Sequence, residues 1–490
     1  MNENASLPNE EIQQTDVLIV GAGISGIGAA CRLRKHCPSK HFLVVDGRKA
    51  IGGTWDLFRY PGIRSDSDMY TLGYPFRPWT GKDAIADGDK IKTYLQETAE
   101  EYAIKENILF SHTVREAVWN SKIGRWMVRC TTPEGETQIL CRFLFLGCGY
   151  YDYQSGYSPS FPGQPLFQGE IIHPQKWKDN ISYENKRIVI IGSGATAITM
   201  LPVLAKKAAH ITMLQRSPSY IAVMPKQDPL HRVFENIIPS SILSSIIRFK
   251  AVCMQQTLYR WTRLFPNATK RILHRQIRSQ LGADFPLEHF TPSYDPWDQR
   301  LCISPDGDFF QALKDRKASI VTDHIERFTE NGILLRSGKT LPCDMIITAT
   351  GLNLKVFGGI QISVDTQSIQ PSQTTSYQGM MCTHIPNLIY CFGYVNASWT
   401  LRSDLVAKYL CHILRYMERH NYTHCIPMLK TDQEQGEPFS QFQPGYIRRS
   451  LHLLPRSGER SPWIYQSDYL KDLWQLGASP NRFNGLSFYP

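Results

Sequence analysis

Two short glycine-rich turns carry the residue types that bind a dinucleotide, and they lie far apart in the chain. Gly21, Gly23 and Gly26 sit in "DVLIVGAGISGIGAA", and Gly192, Gly194 and Ala197 sit in "KRIVIIGSGATAITM". In such a turn the first glycine makes the tight bend and the second lets backbone approach a pyrophosphate. The third small residue lets the helix pack on its strand, so the phosphates meet the positive end of the helix. Each turn follows an apolar run, Asp16 to Val20 and Arg187 to Ile191, and precedes a helical pattern. After the first turn, "HFLVVD" ends in Asp46, an acid placed to bond the hydroxyl pair of a ribose. After the second, "HITMLQRSP" ends in Gln215, Arg216 and Ser217 instead. An acid there would repel a 2′-phosphate, whereas an arginine can pair with it. The first site therefore suits a dinucleotide with a free ribose, FAD or NAD, and the second suits NADP.

Two such turns need two strand–turn–helix units to hold them. Each unit closes alike, since "FLFLGCGYY" and "DMIITATGLN" are both apolar strands ending in small-residue turns. The pattern predicts an α/β chain of two Rossmann-like dinucleotide-binding domains, the second inserted in the first. Residues 1–155 and 385–490 read as the FAD-binding domain, 156–226 and 300–384 as the NADP-binding domain, and 227–299 as a helical insertion. The part from "IPNLIYCFGYVNASW" onward is expected to complete the first domain and end in loose loops. At 490 residues the chain is too long for one core, and its 42% hydrophobic and 20% charged residues are those of a soluble globular protein. No apolar run is long enough to span a bilayer. The polar N-terminus up to Asp16 reads as a disordered lead, without the features of an export signal. Twelve cysteines form no CxxC or CxxxxC pair, which argues against a zinc site or a redox dithiol, so no metal is expected. Reduced, mostly buried thiols in a cytoplasmic protein follow.

The net charge of +10 is unevenly spread. Between His231 and Gln280, nine basic residues (Arg232, Arg248, Lys250, Arg260, Arg263, Lys270, Arg271, Arg275 and Arg278) stand against one acid, Glu235. A basic, amphipathic helical segment is either a solvated face or a surface for anionic lipid or an acidic partner. Peripheral contact with the inner face of a membrane through residues 231–280 is therefore open. Nucleic acid is not expected, because the rest of the chain is built for dinucleotides.

A chain that holds FAD and NADPH together is most simply a flavoenzyme that takes hydride from NADPH. A disulfide reductase would need a cysteine pair, which leaves electron transfer to a partner or reaction with oxygen. Two further motifs bear on that choice. Phe167, Gly169, His173 and Trp177 in "FQGEIIHPQKW" fill the pattern FxGxxxHxxxW. Gly52, Gly53, Trp55, Tyr60, Pro61, Gly62 and Asp66 fill GGxWxxxxYPGxxxD. With both glycine turns in the same order, the chain resembles the class B flavin monooxygenases of the Baeyer–Villiger type. On "GGTWDLFRYPGIRSDSDMYTLGYPFRPWTG" and "YDPWDQRLCISPDGDFF" it is similar to the branch that includes the bacterial ethionamide-activating monooxygenase, a likeness that thins after about residue 430. Lys178 departs from the Pro or Asp usual after the fingerprint Trp, and N- and S-oxidising relatives usually have Tyr or Phe at the place of Trp177.

The resemblance implies an NADPH- and O2-dependent monooxygenase. Oxygen activated at FAD attacks a ketone carbonyl, and the adduct rearranges to an ester or lactone; thioether or thioamide sulfur is a further target. The family's catalytic arginine maps onto Arg300, a cation that stays protonated at any working pH and serves both the activated oxygen and the adduct's oxyanion. Asp66 maps onto the carboxylate that pairs with it, with Asp68 an alternative two residues on. Gly53, Trp55, Tyr60 and Asp66 are expected around the flavin, Asn396 and Trp399 under its ring, and Arg216 with Ser217 at the 2′-phosphate. Thr196 either caps its helix or touches NADP. The fingerprint is expected to act as a linker that couples the domains, with no proton-transfer role for His173. The substrate pocket should form between the two domains and the insertion. Two other readings stay open: an N- or S-oxygenase that makes no esters, and a flavin electron-transfer protein or NADPH sensor whose basic segment docks a partner.

Overall fold

The first apolar run forms the strand Gln13–Val20, with Phe42–Asp46 parallel to it on one side and Gly135–Leu146 on the other. These strands read as unbroken apolar runs because helices cover both faces of a parallel sheet. Ile108–Phe110 and Leu388–Tyr390 extend the parallel part. Beyond Gly135–Leu146 the sheet turns antiparallel through Arg125–Thr132 and Thr113–Asn120. The computed structural model describes residues 12–429, 436, 445–479 and 482–490. The N-terminal lead lies largely outside them, yet Gln13 to Thr15, which read as part of that lead, already pair in the sheet.

A second sheet of five parallel strands runs in the order Ala318–Thr322, His210–Gln215, Arg187–Ile191, Met345–Thr348 and Glu170–Ile172. The last of these lies inside the fingerprint. That stretch reads as a surface connection, but three of its residues form the edge strand of the second sheet.

The chain crosses between the sheets twice, and the two crossings pair. Tyr151–Gly156 leads out and runs antiparallel to Leu352–Leu354, which leads back. The return therefore comes near residue 355, not at 385. Gln361–Val364 already pairs with Thr113–Asn120 of the first sheet, and Phe357, Ile362, Tyr377 and Met381 are buried in its cores. Those strands are two to four residues long and carry no apolar run that would announce them. The C-terminal part is also more ordered than loose loops: Trp399–Arg419 is a 21-residue helix with Ser403 to Ala407 buried in one unbroken stretch. It packs on the helix Ile24–His36 through a buried Arg32–Asp404 pair at 2.7 Å. The expected loops over residues 430–435 and 437–444 lie outside the described residues.

The insertion forms the helices Pro229–Phe234, Ser240–Leu264 and Pro266–Leu281, framed by a parallel ribbon of Ile221–Met224 with Cys302–Pro305. It straddles the two units. Ser244 Oγ donates to Trp79 O at 2.5 Å, and Arg248 donates to Tyr70 O and Gly73 O at 2.6 and 2.7 Å, all on the first unit. Ile277 of the second long helix joins the core of the second unit, with Phe309 and Leu313. Among the described residues no helix is long and apolar enough to cross a membrane, and no cluster of three metal-ligating side chains occurs. The twelve cysteines are unpaired, and only Cys148 and Cys253 are not buried.

One loop of the first unit is wedged against the second. Gly62 has φ +82°, and a Cβ there would stand 2.7 Å from Val203 Cγ2 and 2.8 Å from Thr199 O, on the helix that follows the second glycine turn. Gly62→Ala is expected to destabilise the protein by about 1–3 kcal/mol through strain and overpacking. Thermal melting measures it; an unchanged melting temperature would contradict this contact.

Candidate active site between the two sheets

A cavity of about 700 Å³ opens between the units and joins the two glycine turns. Gly21 and Gly23 line it from one side, Gly194 and Thr196 from the other. Gly21 sits at φ +105° and Gly192 at φ +132°, and each donates its N–H to the neighbouring strand, to Val45 O at 2.7 Å and Leu214 O at 2.8 Å. The third position differs between the turns for a packing reason. A Cβ on Gly26 would fall 1.8 Å from Gly21 O, so only glycine fits there, whereas the second turn accommodates a buried Ala197. A Cβ on Gly194 would meet nothing within 4 Å, which leaves that backbone open to a ligand. Gly53, at φ +55°, presses on Gly23: its Cβ would lie 2.9 Å from Gly23 Cα.

Asp46 lines the cavity with its carboxylate already fixed, taking Ala22 N at 2.7 Å and Arg48 N at 2.8 Å. Burial raises its pKa and those two hydrogen bonds oppose the rise. Each carboxylate oxygen keeps a lone pair for a ribose hydroxyl. Open backbone at the turns, a fixed acid at the strand end and the size of the cavity together fit a dinucleotide.

Trp55, Tyr60 and Trp399 line the same cavity. Trp399 donates Nε1–H to Ser25 Oγ at 2.8 Å, which fixes its ring beside the first turn. Burial shifts the Tyr60 hydroxyl upward and Thr196 opposes the shift, so the first unit's motif stands beside the second glycine turn across the cavity. Asn396 does not line the cavity; it stands behind the wall and donates Nδ2–H to Ser467 O at 2.9 Å.

Arg300 and Asp66 meet in this space from different units. Neither has a hydrogen bond or an ion pair among the described residues, so the expected direct pairing is not closed, although each feels the other's charge. Burial raises the Asp66 carboxyl above its ordinary range, and the charges of Arg300 and Arg64 pull it back. Arg300 is exposed to the open cavity; the protein around it works against its charge, but Tyr446, Tyr151, Tyr150 and Asp66 outweigh that and keep the guanidinium protonated. Asp68 is occupied elsewhere. It caps the turn Met69–Leu72 by accepting from Thr71 N at 2.9 Å and takes Gln255 Nε2 at 2.6 Å. The loop bearing Arg300 hangs from both long insertion helices, through Arg263–Asp298 at 2.6 Å and Lys270–Asp295 at 2.7 Å.

Arg216 and Ser217 do not line the cavity; both lie exposed beyond the strand that ends at Gln215. Ser193 Oγ donates to Ser217 O at 2.8 Å, tying that loop to the second glycine turn. Arg216 makes no ion pair among the described residues. None of the four fingerprint residues reaches the cavity. Phe167 and Trp177 are buried in cores of the second unit, and a Cβ on Gly169 would stand 2.4 Å from Asp344 O. His173 Nδ1 accepts from Gln175 N at 3.2 Å and Nε2–H donates to Gly351 O at 3.1 Å. Burial lowers its pKa, so the ring is the neutral Nε2–H form with both nitrogens engaged. It clips the returning crossing through Gly351.

Arg64, Tyr150, Tyr151 and Tyr446 are cavity residues to which no role is assigned from the sequence. Arg64 lies within the motif that supplies Tyr60 and Asp66, and the tyrosine pair follows the last strand of the first unit's turn, so position could have drawn attention to them. Tyr446 arrives from the far C-terminal part with no local signal.

A model of the flavin-binding monooxygenase-like family matches residues 74–414, and one of NAD(P)-binding Rossmann-like domains matches residues 19–84. The chain belongs to the flavin-binding monooxygenase-like family. As a member it is an NADPH-dependent flavin monooxygenase with FAD and NADPH as cofactors. It is 46% identical over 478 residues to the FAD-containing monooxygenase EthA of Mycobacterium tuberculosis, covering 97% of this chain and 98% of that protein. It is 43% identical over 467 residues to the probable FAD-binding monooxygenase AlmA of an Acinetobacter species, covering 95% and 94%. In fold it is similar to an oxidised steroid monooxygenase bound to NADP, with a TM-score of 0.78 at 20% identity over 97% of this chain and 100% of that one. A cyclohexanone monooxygenase in its open form gives a TM-score of 0.75 at 18% identity over 98% and 100%.

Arg216→Ala is expected to raise the KM for NADPH about tenfold or more and to leave that for NADH nearly unchanged, as loss of a phosphate contact requires. Steady-state kinetics with both nucleotides checks this; equal changes would remove Arg216 from the 2′-phosphate.

Proposed function

We propose that the protein inserts one oxygen atom next to a ketone carbonyl, giving an ester or lactone, and also oxidises thioether or thioamide sulfur. The observation that carries this reading is a single cavity that joins both dinucleotide turns and holds Arg300 with no anionic partner in contact. Bound FAD, reduced by NADPH, supplies activated oxygen. What the chain contributes is position and charge. Gly21, Gly23, Gly26, Asp46, Gly53, Trp55 and Tyr60 would hold FAD, and Gly192, Gly194, Ala197, Arg216 and Ser217 would hold NADP.

Arg300 supplies a permanent cation where negative charge develops, first on the attacking oxygen and then on the carbonyl oxygen of the adduct. A guanidinium lining a cavity between two protein units stabilises both more than one in bulk water would, the more so as bound cofactors and substrate displace water from it. Asp66 orients that cation without neutralising it, since the two are coupled by charge and not bonded. Tyr150, Tyr151 and Tyr446 wall the space around Arg300 and help exclude water, which otherwise diverts activated oxygen to hydrogen peroxide. His173 takes no part in proton transfer. Arg300→Ala is expected to keep reduction of the flavin by NADPH and to lose ester formation by at least about a hundredfold, with hydrogen peroxide in its place. Normal product yield with a methyl ketone would exclude Arg300 from its role.

A cytoplasmic enzyme that rests on the inner face of the membrane is the second part of the proposal. Among the described residues, ten of the seventeen exposed large hydrophobic side chains lie between Val233 and Ile272, and Ile237, Phe249 and Leu264 are 73%, 73% and 72% exposed. Ile242, Ile246 and Phe249 recur at helical spacing on one outward face. The basic count needs revision: Lys250, Arg260, Arg263 and Lys270 pair with acids from outside the 231–280 segment, and Arg248 is spent on backbone carbonyls. Arg232, Arg271, Arg275 and Arg278 form no ion pair among the described residues, and the last three share a face of the helix Pro266–Leu281. Apolar side chains beside unpaired arginines are what an anionic lipid surface takes up. The protein should float with phosphatidylcholine vesicles that contain phosphatidylglycerol and stay behind with phosphatidylcholine alone. Equal recovery from both kinds of vesicle, or from neither, would contradict the contact.

A further inference from the structure

We propose that Arg64 is a positioning residue that sets the geometry of Asp66 against Arg300; this rests on the reading of Arg300 given above. Arg64 lies on the first unit's loop, two residues before Asp66, and its side chain is only 7% exposed. Its guanidinium reaches across to the second unit. Nη1 donates to Asp308 Oδ2 at 2.6 Å, and Nη2 donates to Ile303 O at 3.3 Å. Ile303 is on the strand that begins two residues after Arg300, so one side chain fastens the Asp66 loop to the Arg300 strand. The far anchor is itself fixed, because Ser304 Oγ donates to Asp308 Oδ1 at 2.8 Å and Phe309 N donates to the same oxygen at 2.8 Å.

The third donor nitrogen, Nε, is buried with no hydrogen-bond partner, and the partly exposed Asp66 forms no hydrogen bond or ion pair among the described residues. All three residues line the cavity. Asp66 therefore stands under the influence of two guanidinium groups, Arg64 locked to the second unit by two acceptors and Arg300 with no hydrogen bond or ion pair among the described residues. A carboxylate held only by charge keeps its place through the rigidity of the loop that bears it, and that loop is pinned by Arg64. Lysine cannot substitute fully, since a single ammonium lacks the planar fork that meets a carboxylate and a carbonyl at once.

The test uses full-length, FAD-loaded Arg64→Gln and Arg64→Lys with NADPH and a methyl ketone. Three quantities are read: FAD content, the rate of flavin reduction by NADPH, and the ratio of ester to hydrogen peroxide. Arg64→Gln is expected to hold FAD and to reduce it within about twofold of the parent, while the ester share falls about tenfold through kcat, not through the KM for ketone. Arg64→Lys should recover part of that share. Asp308→Asn approaches the same clamp from its other end and should reproduce the loss, which keeps the test decisive if Arg64→Gln does not fold. The inference is overturned if the ester share is unchanged, or if FAD content, reduction and ester formation decline in parallel. Arg300→Ala, measured alongside, separates the two claims. If it still makes ester, the reading of Arg300 is lost and the role of Arg64 with it; if it loses ester while Arg64→Gln does not, only the present inference falls.

Discussion

The structure depends on the pairing of its two crossings. The chain leaves the first sheet through Tyr151–Gly156 and returns through Leu352–Leu354, and the two run antiparallel as a short ribbon. Each crossing follows a strand that ends beside a dinucleotide turn, so the ribbon sets how the turns face each other. Its hydrogen bonds are reinforced on the spot: Thr350 Oγ1 donates to Tyr157 O at 2.5 Å, and Tyr157 N donates to Gly351 O at 3.0 Å. Two linkers bonded to each other resist relative rotation of the domains in a way that a single linker cannot. The fingerprint acts at this joint, because His173 donates to Gly351 O and packs against Gly156, where a Cβ would fall 1.9 Å from its ring. His173 thus stands at the joint and not in the cavity.

The second dependency is electrostatic. A guanidinium between two domains loses part of its hydration, and a carboxylate in direct contact would weaken the positive field it presents to the cavity. This site takes a middle course. Asp66 is near enough to act through charge and is held off from contact, and three tyrosines complete the surroundings of Arg300. The insertion belongs to the same arrangement, since its two long helices carry the loop before Arg300 by ion pairs to Asp295 and Asp298. These pairs are half-exposed and worth little alone as stability. Their role is to settle where a loop stands.

Much of this is legible in the sequence, for identifiable reasons. Strand, glycine turn and helix follow one another within about 20 residues, so local pattern suffices for both turns and for Asp46. Arg300, Asp66 and the fingerprint are read through resemblance, and their placement in space is not. The approach of Tyr60 to Thr196, the clamp of Arg64 on Ile303 and the arrival of Tyr446 join residues more than a hundred positions apart, where no periodicity speaks. The domain boundary at 385 misses for a related reason: Gln361–Val364 is four residues long and gains its stability from a neighbour in the sheet, not from its own composition. The edge strand Glu170–Ile172 is hidden in the same way.

Both dinucleotides are held to meet in one cavity, and oxygen activated there is held to reach a carbonyl. Turnover of a methyl ketone with NADPH under 18O2, with the product analysed by mass spectrometry, tests this most directly. The predicted product is an ester with one labelled oxygen, placed between the carbonyl carbon and the migrated alkyl group. Oxidation of NADPH that yields only labelled hydrogen peroxide across methyl ketones, cyclic ketones and thioethers would contradict it.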